Sequence, residues 1–343
     1  MLFSVIAWIT PFVIGYIILS RVRRWLTIDN IKNRYILITG CDHGYGNLLA
    51  QRLDMLGCHV IAACATEGGK NRLQQMTSSH LKAFKFDFGR ENQIKQAVDY
   101  VQMNLPEDTG LWAVVNNMET HGDVVGPVDW HTTDDFRALI DVNTLAPIRM
   151  TLAFLPLIKK AKGRVVIMAH VYGRIAHPIY LPYSVSKAAI ESFADGLRVH
   201  LSQYGATVHI LEPGHFQTDI SEKQRLRKAV QQAWKTSSRS LKEEYGEQYK
   251  DNLISHVTST VNNASPKVNH VIKAYLHALT ARCPRSRYTV GVDAYLTWIP
   301  LSYMPSVLAD LLFSKWTKDL LPDCLKLCPK SAETDTANDE HTN

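Results

Sequence analysis

Arg34-Tyr35-Ile36-Leu37-Ile38-Thr39-Gly40-Cys41-Asp42-His43-Gly44-Tyr45-Gly46 is the stretch that decides the fold. An apolar run closes on Gly40, glycines recur at 44 and 46, and a helical pattern follows over 47–56. Strand, glycine turn, helix is the order that lets backbone N–H groups and a helix N-terminus approach a pyrophosphate. Glycine turns also serve tight strand-to-helix packing; the position of this one between a strand and a helix favours the dinucleotide reading.

Downstream the alternation continues. Apolar runs at 59–65, 81–88, 111–116, 163–168 and 206–211 read as strands, with helical patterns between them, notably 134–162 and 184–204. The expected class is α/β, a Rossmann-type doubly wound parallel sheet in a single domain over 35–220. From 221 the pattern turns to charged amphipathic helix with Trp234, Tyr245 and Tyr249, and 298–321 is apolar and aromatic. We read 221–329 as substrate-lid helices and the C-terminal part of the same domain, with Tyr303, Met304 and Trp316 in lid packing. The polar tail 330–343 reads as disordered.

Upstream, residues 2–20 carry no charge and nineteen residues come close to the ~30 Å bilayer core, so they read as a transmembrane anchor. Arg21, Arg23 and Arg24 follow in a basic linker, 21–34, which places the body in the cytosol by the positive-inside tendency. An uncleaved anchor without a mitochondrial presequence points to the endoplasmic reticulum.

Composition narrows the function classes. The chain has 343 residues, 46% hydrophobic and 20% charged, which excludes collagen-like and wholly disordered readings. The net charge of +6 is concentrated in the linker, and no basic stripe runs along the body, so nucleic acid is not an expected partner. Six scattered cysteines read as reduced thiols without metal-ligand spacing.

Tyr183-Ser184-Val185-Ser186-Lys187 puts a phenol and an ammonium at i and i+4 on one helix face. A nearby ammonium favours phenolate and lowers a tyrosine pKa, as a base working near neutral pH requires. Together with TGCDHGYG at 39–46, FDF around Asp87, VVNN at 114–117, DVN ending at Asn143, FLPLIKKAKGRVV at 154–166 and EPGHFQT at 212–218, this pair resembles the short-chain dehydrogenase/reductase family. The likeness is to its retinol and hydroxysteroid dehydrogenase branch, with similarity to 3-hydroxybutyrate dehydrogenase around the active site.

The resemblance implies an NAD- or NADP-dependent oxidoreductase with Tyr183 as the proton-transfer residue, Lys187 on the nicotinamide ribose and Asn143 supporting a relay water. Gly40, Cys41, His43, Gly44, Tyr45 and Gly46 would hold the cofactor phosphates and adenosine, Asp87 the adenine, and Asn116 the pocket wall. Pro213, Gly214 and Thr218 would flank the nicotinamide. Relatives commonly dimerise through the helices carrying Asn143 and Tyr183, which leaves a homodimer open.

Two positions depart from the family pattern. His170 stands where the family places its catalytic serine, and it can donate a hydrogen bond in that serine's stead. Met118 and Glu119 follow Asn117 where the family reads Ala-Gly; they imply either crowding and negative charge near the cofactor or a shifted loop with Glu119 in solvent. The second strand ends at Ala63-Cys64-Ala65 without an acid to grip a ribose, relatives with such endings largely use NAD, and His43 keeps NADP open. The leading reading is a membrane-anchored alcohol/ketone oxidoreductase acting on a lipophilic steroid or retinoid. The alternatives are a 3-hydroxy acid dehydrogenase, for which Arg174 is the candidate cation, and a catalytically silent scaffold. His177 reads as a solvated loop residue.

Overall fold

Ile36 and Ile38 point to one side of the first strand, β1 (Tyr35–Thr39), and Leu37 to the other, and all three are fully buried. A strand buried on both faces belongs inside a sheet covered by helices on both sides. The computed structural model describes Gly15, Arg23 and residues 25–87, 93–120, 124–217 and 222–316. Within them β1, β2 (His59–Cys64), β3 (Leu81–Lys85), β4 (Ala113–Asn116), β5 (Arg164–Met168), β6 (Thr207–Pro213) and β7 (Arg287–Val290) form one sheet. Its order is β3-β2-β1-β4-β5-β6-β7, parallel throughout. This is the doubly wound sheet expected. The sequence reading lacked β7, a four-residue strand whose burial alternates half-buried and buried.

One face is covered by α1 (Gly44–Met55), through Leu49 and Leu53, and by α10 (Asn269–Thr280), through Val271, Ile272 and Tyr275. The opposite face takes α3 (Gln93–Met103), α5 (Ala146–Ala161) and α6 (Leu181–Ser202). Between β2 and β3 runs α2 (Glu67–Gln75). Ahead of α5, α4 (Thr133–Ile140) runs into a π-turn, Asp141–Leu145. The run Thr133–Ala161 is the one helix among the described residues long and apolar enough to cross a membrane. Its Met150, Phe154 and Ile158 lie in the sheet-facing cluster, so it serves as a core helix here. The anchor read at 2–20 lies outside the described residues except Gly15, and the 330–343 tail lies wholly outside them.

Above the carboxyl ends of the strands sit α7 (Glu222–Thr236), α8 (Arg239–Tyr245) and α9 (Glu247–Asn263). Trp130 joins them to the body by packing edge-on to Tyr245 and Tyr249 and tilted on Trp234. At the opposite, amino edge of the sheet the chain entering the body is stapled to the end of α10. Ile28 N donates to Thr280 O at 2.8 Å, Arg282 N to Leu26 O at 2.6 Å, and Thr27 bridges Ala281. Arg164, first residue of β5, donates to the carbonyls of Ala278 and Ala281 beside them. Finally α11 (Ser306–Trp316) closes the described chain.

Candidate active site

The glycine turn is built to leave a helix end open. Gly40 (φ +70°) and Gly44 (φ +63°) adopt left-handed conformations that side chains disfavour. A Cβ on Gly46 would stand 2.3 Å from Gly40 O and 2.5 Å from Asn117 Nδ2, whereas one on Gly44 would meet nothing within 4 Å. No side chain caps α1 at His43, and no acid lies in its first turn. Uncapped N–H groups beside an open glycine face suit a pyrophosphate, so this end of the site fits a dinucleotide. Cys41 turns its thiol inward to Ile38 O, and burial pushes that thiol's pKa up, so its backbone alone faces the turn.

Asp42 brings an acid to the end of β2 from a distance in sequence. Its carboxylate accepts from Ala65 N at 2.6 Å, Thr66 N at 2.9 Å and Thr66 Oγ1 at 2.6 Å. The glycine turn therefore places a carboxylate at the end of β2, where the strand itself carries none. A carboxylate between two glycines was the available signal, and sequence reading passed over it. Asp87 follows β3 at the same edge, its N–H donating to Gln93 Oε1 at 2.7 Å. Asn116 donates to Thr151 Oγ1 at 2.9 Å, and its Oδ1 is buried without a hydrogen-bond partner.

Tyr183 and Lys187 are fully buried on one face of α6, and a third group lies between them. Glu119 Oε2 is 2.5 Å from Lys187 Nζ and accepts from the Tyr183 hydroxyl at 3.2 Å. Lys187 also donates to Met168 O at 3.2 Å. This settles the open reading of Glu119: it points inward and takes the lysine. The expected lowering of the tyrosine pKa is overturned with it. Burial first, then the Glu119 charge, drives the Tyr183 hydroxyl well above the ordinary tyrosine range. Met118 lies against the turn at Gly40, where an added Cβ would stand 2.9 Å from Met118 Cα and 3.1 Å from its Cβ, while its side chain packs with the apolar layer on the other face of the sheet.

Asn143 sits in the π-turn, a helix irregularity common at functional sites. Its Oδ1 accepts from Thr120 N at 2.9 Å, and its Nδ2 donates to Thr120 O at 2.8 Å and Ser186 Oγ at 3.0 Å. Both N–H groups are thereby spent on holding the loop that carries Glu119 and on Ser186.

His170 caps the turn after β5: its Nδ1 accepts from Tyr172 N at 3.1 Å, which puts the ring proton of the neutral tautomer on Nε2. Its ring stands edge-on to Tyr183 at 5.5 Å. Pro213 ends β6 and Gly214 follows it, its N–H donating to Val290 O at 2.8 Å; Thr218 lies outside the described residues. Arg174 is committed elsewhere, to Glu212 at 3.3 Å and the Tyr303 hydroxyl at 2.7 Å, so the cation for a 3-hydroxy acid is not supplied by it. His177 is buried against Tyr172, Tyr180, Trp298 and Phe313 rather than solvated, and burial pushes its pKa down to about 3.

These groups surround a cavity of about 60 Å³ with Tyr45, Glu119, His170, Tyr172, Tyr180, Pro213 and His215 in its wall and Leu226 and Val261 of the lid closing it. Opposite the cavity, Arg287 of β7 binds Glu191 at 2.6 Å and Asp195 at 2.5 Å on α6, and Glu212 on β6.

A parallel sheet with an open glycine turn at the end of β1 and a Tyr-xxx-Lys helix after β5 defines a nucleotide-dependent dehydrogenase. The chain belongs to the short-chain dehydrogenase/reductase family of NAD(P)-dependent oxidoreductases: the family model described as short chain dehydrogenase matches residues 34–229. It is 39% identical over 298 residues to dehydrogenase/reductase SDR family member 9 of Bos taurus, covering 87% of this chain and 92% of that one. It is 36% identical to 17-beta-hydroxysteroid dehydrogenase type 6 of Homo sapiens (91% and 98% covered) and 38% identical to retinol dehydrogenase 7 of Rattus norvegicus (82% and 88%). The fold is shared with a short-chain dehydrogenase from Streptomyces avermitilis, at a TM-score of 0.64 and 20% identity over 85% of this chain and 98% of that one.

Proposed function

We propose that the protein is a membrane-anchored oxidoreductase that interconverts an alcohol and a ketone or aldehyde on a lipophilic substrate of steroid or retinoid type. The observation that carries the reading is the Tyr183–Lys187 face of α6 at the carboxyl edge, beside a cavity walled by tyrosines and lid leucine and valine. Relatives named for retinol and 17-beta-hydroxysteroid point to the same substrate class.

The bound nicotinamide nucleotide would supply the hydride acceptor or donor. The N–H groups of the glycine turn and α1 would hold its pyrophosphate. Asp42, at the end of β2, would repel a 2′-phosphate, which favours NAD. Lys187 would reach the nicotinamide ribose once Glu119 releases it. Tyr183 would exchange the proton of the substrate oxygen, and His170 Nε2–H would donate to that oxygen in the serine's place. A cavity of about 60 Å³ is far below the roughly 300–1,000 Å³ of small-molecule sites, so substrate entry requires α7 and α9 to lift.

The test is calorimetric titration of the full chain in nanodiscs with NAD(H) and NADP(H), followed by turnover of steroid and retinoid alcohols. Nucleotide-dependent oxidation of either class supports the reading, and tight nucleotide binding without any turnover rejects it.

A further inference from the structure

The cavity carries a second set of acid–base groups that the Tyr183–Lys187 pair does not use. The Tyr172 hydroxyl lies 2.9 Å from His215 Nε2, and His215 Nδ1 lies 3.1 Å from Asp293 Oδ2. The same carboxylate oxygen accepts from His215 N at 2.9 Å. The three residues come from three different segments: the turn after β5, the turn after β6 and the turn after β7.

The carboxylate is seated against two glycines. A Cβ on Gly214 would stand 2.3 Å from Asp293 Oδ2, and one on Gly291 would stand 2.6 Å from Oδ1. Neither position tolerates a side chain while Asp293 stays where it is. Its placement fixes the imidazole: with Nδ1–H directed at Asp293, Nε2 is left as the acceptor for the phenol. This is the order of carboxylate, imidazole and hydroxyl that activates a hydroxyl elsewhere in enzymes. Tyr172 and His215 both lie in the cavity wall, whereas the Tyr183 hydroxyl is held beneath Glu119. Tyr172 also donates its N–H to His170 Nδ1, so the group placed to bind the substrate oxygen is positioned by the same turn.

We propose that Tyr172, His215 and Asp293 form a second proton-transfer set in this cavity, with the Tyr172 hydroxyl exchanging its proton with the substrate oxygen. The proposal rests on the oxidoreductase reading above. In alcohol oxidation the carbinol C–H bond breaks with its electron pair going to the oxidised nicotinamide nucleotide, and the alcohol O–H proton passes to the Tyr172 oxygen. The Tyr172 proton moves in concert to His215 Nε2; Asp293 balances the imidazolium, which then returns its proton to solvent. Carbonyl reduction runs the same transfers backwards. The ionisable groups facing His215 and Tyr172 are Asp293, His170, His177, Tyr180, Tyr183 and, in the cavity wall, Tyr45 and Glu119.

The full chain in nanodiscs is compared with Tyr172→Phe, His215→Gln, Tyr183→Phe and the double variant Y172F/Y183F. We read kcat, its pH profile and NAD(H) affinity by calorimetry. Loss of one route is expected to cost Tyr172→Phe about tenfold or more in kcat, the low end of general acid–base effects. Its NAD(H) affinity should stay within about twofold, with the profile altered in His215→Gln. Tyr183→Phe should retain measurable turnover, and the double variant should fall to background. A cofactor-free readout is histidine ¹⁵N NMR, in which the Nδ1–H tautomer of His215 should be lost in Asp293→Ala, which removes the acceptor. Wild-type kcat and pH profile in both Tyr172→Phe and His215→Gln overturn the proposal and leave the oxidoreductase reading standing, as does an unchanged tautomer. Nucleotide binding with no turnover of any alcohol overturns both.

Discussion

Glu119 and Lys187 form an ion pair of 2.5 Å at the point where a Tyr-xxx-Lys helix meets the sheet, with the Tyr183 hydroxyl on the same carboxylate oxygen. A fully buried ammonium needs a counter-charge, and Glu119 supplies it from within the chain. A nucleotide ribose must compete with that carboxylate for the lysine.

Glu119→Gly therefore has two opposite effects. The nucleotide-free protein should melt at a lower temperature, because Lys187 loses its partner, while NAD(H) should bind about tenfold tighter or more, ~1.4 kcal/mol. Differential scanning fluorimetry and calorimetry on the same preparation read both. Unchanged affinity together with a lowered melting temperature would show that the carboxylate does not obstruct the nucleotide.

Asp42 sets nucleotide preference in the proposed reading. Asp42→Asn removes the charge and keeps one of the two acceptor oxygens, enough for the Thr66 N–H and hydroxyl but not for the Ala65 N–H, and should raise the NADP-to-NAD ratio of kcat/KM by about tenfold. A ratio that does not move counts against the electrostatic argument.

On the proposed reading of position 170 as the family's serine position, histidine and serine can be exchanged there directly. His170→Ala removes the donor and the cap on the Tyr172 N–H, and should lower kcat by ~10², the size of effect seen when an oxyanion donor is lost. His170→Ser should recover part of that loss. Equal activity in all three proteins argues against any role at the substrate oxygen.

Stability should fall in mild acid. His177 and His209 have native pKa values pushed down by burial, to about 3 and about 4. Each is neutral when folded and gains a proton more readily when unfolded. Their stabilisation is thus complete above the unfolded value near ~6.5 and is lost as pH falls towards the folded values. Between pH 7 and pH 5 each site should cost ~2 kcal/mol. Denaturant titration across this range checks it, and His177→Phe, which also removes a buried unpaired Nδ1, should flatten the slope by about one proton.

Arg287 holds α6 to the last two strands. Arg287→Met would leave the buried Glu191 without its ion-pair partner and facing Glu212, which keeps only Arg174 at 3.3 Å, for a loss of about 3–5 kcal/mol. Burial and Glu212 already raise the Glu191 carboxyl to about 7, so the loss should be larger at pH 8 than at pH 6. An equal loss at both values would contradict this account.

The parallel sheet was legible because six of its strands are runs of buried apolar residues flanked by turn signals, and β1 with its glycines is the plainest of them. β7 was not, since Arg287-Tyr288-Thr289-Val290 is short and spends its arginine on an ion cluster that only tertiary contact reveals. Tyr183 and Lys187 could be paired from their spacing. Glu119 could be flagged from its place after Asn117 but not aimed, because its direction is set by Asn143 holding Thr120 from another helix. Asp42, His215 and Asp293 gained their partners from segments 23 to 78 residues away, a relation no local pattern carries.

The staple at Leu26–Ile28 gives the body a defined mechanical load path. Tension on the chain ahead of Leu26 shears the bonds to Thr280 and Arg282 and passes through Arg164 into the start of β5. Five residues of strand, roughly 17 Å at ~3.3 Å each, separate that edge from the one where Lys187 and Glu119 meet. Pulling or tethering at the N-terminal side therefore loads the end of the sheet remote from the chemistry, and the direct route from that load to the site runs along α10, whose Tyr275 hydroxyl donates to Asn117 Oδ1 two residues before Glu119.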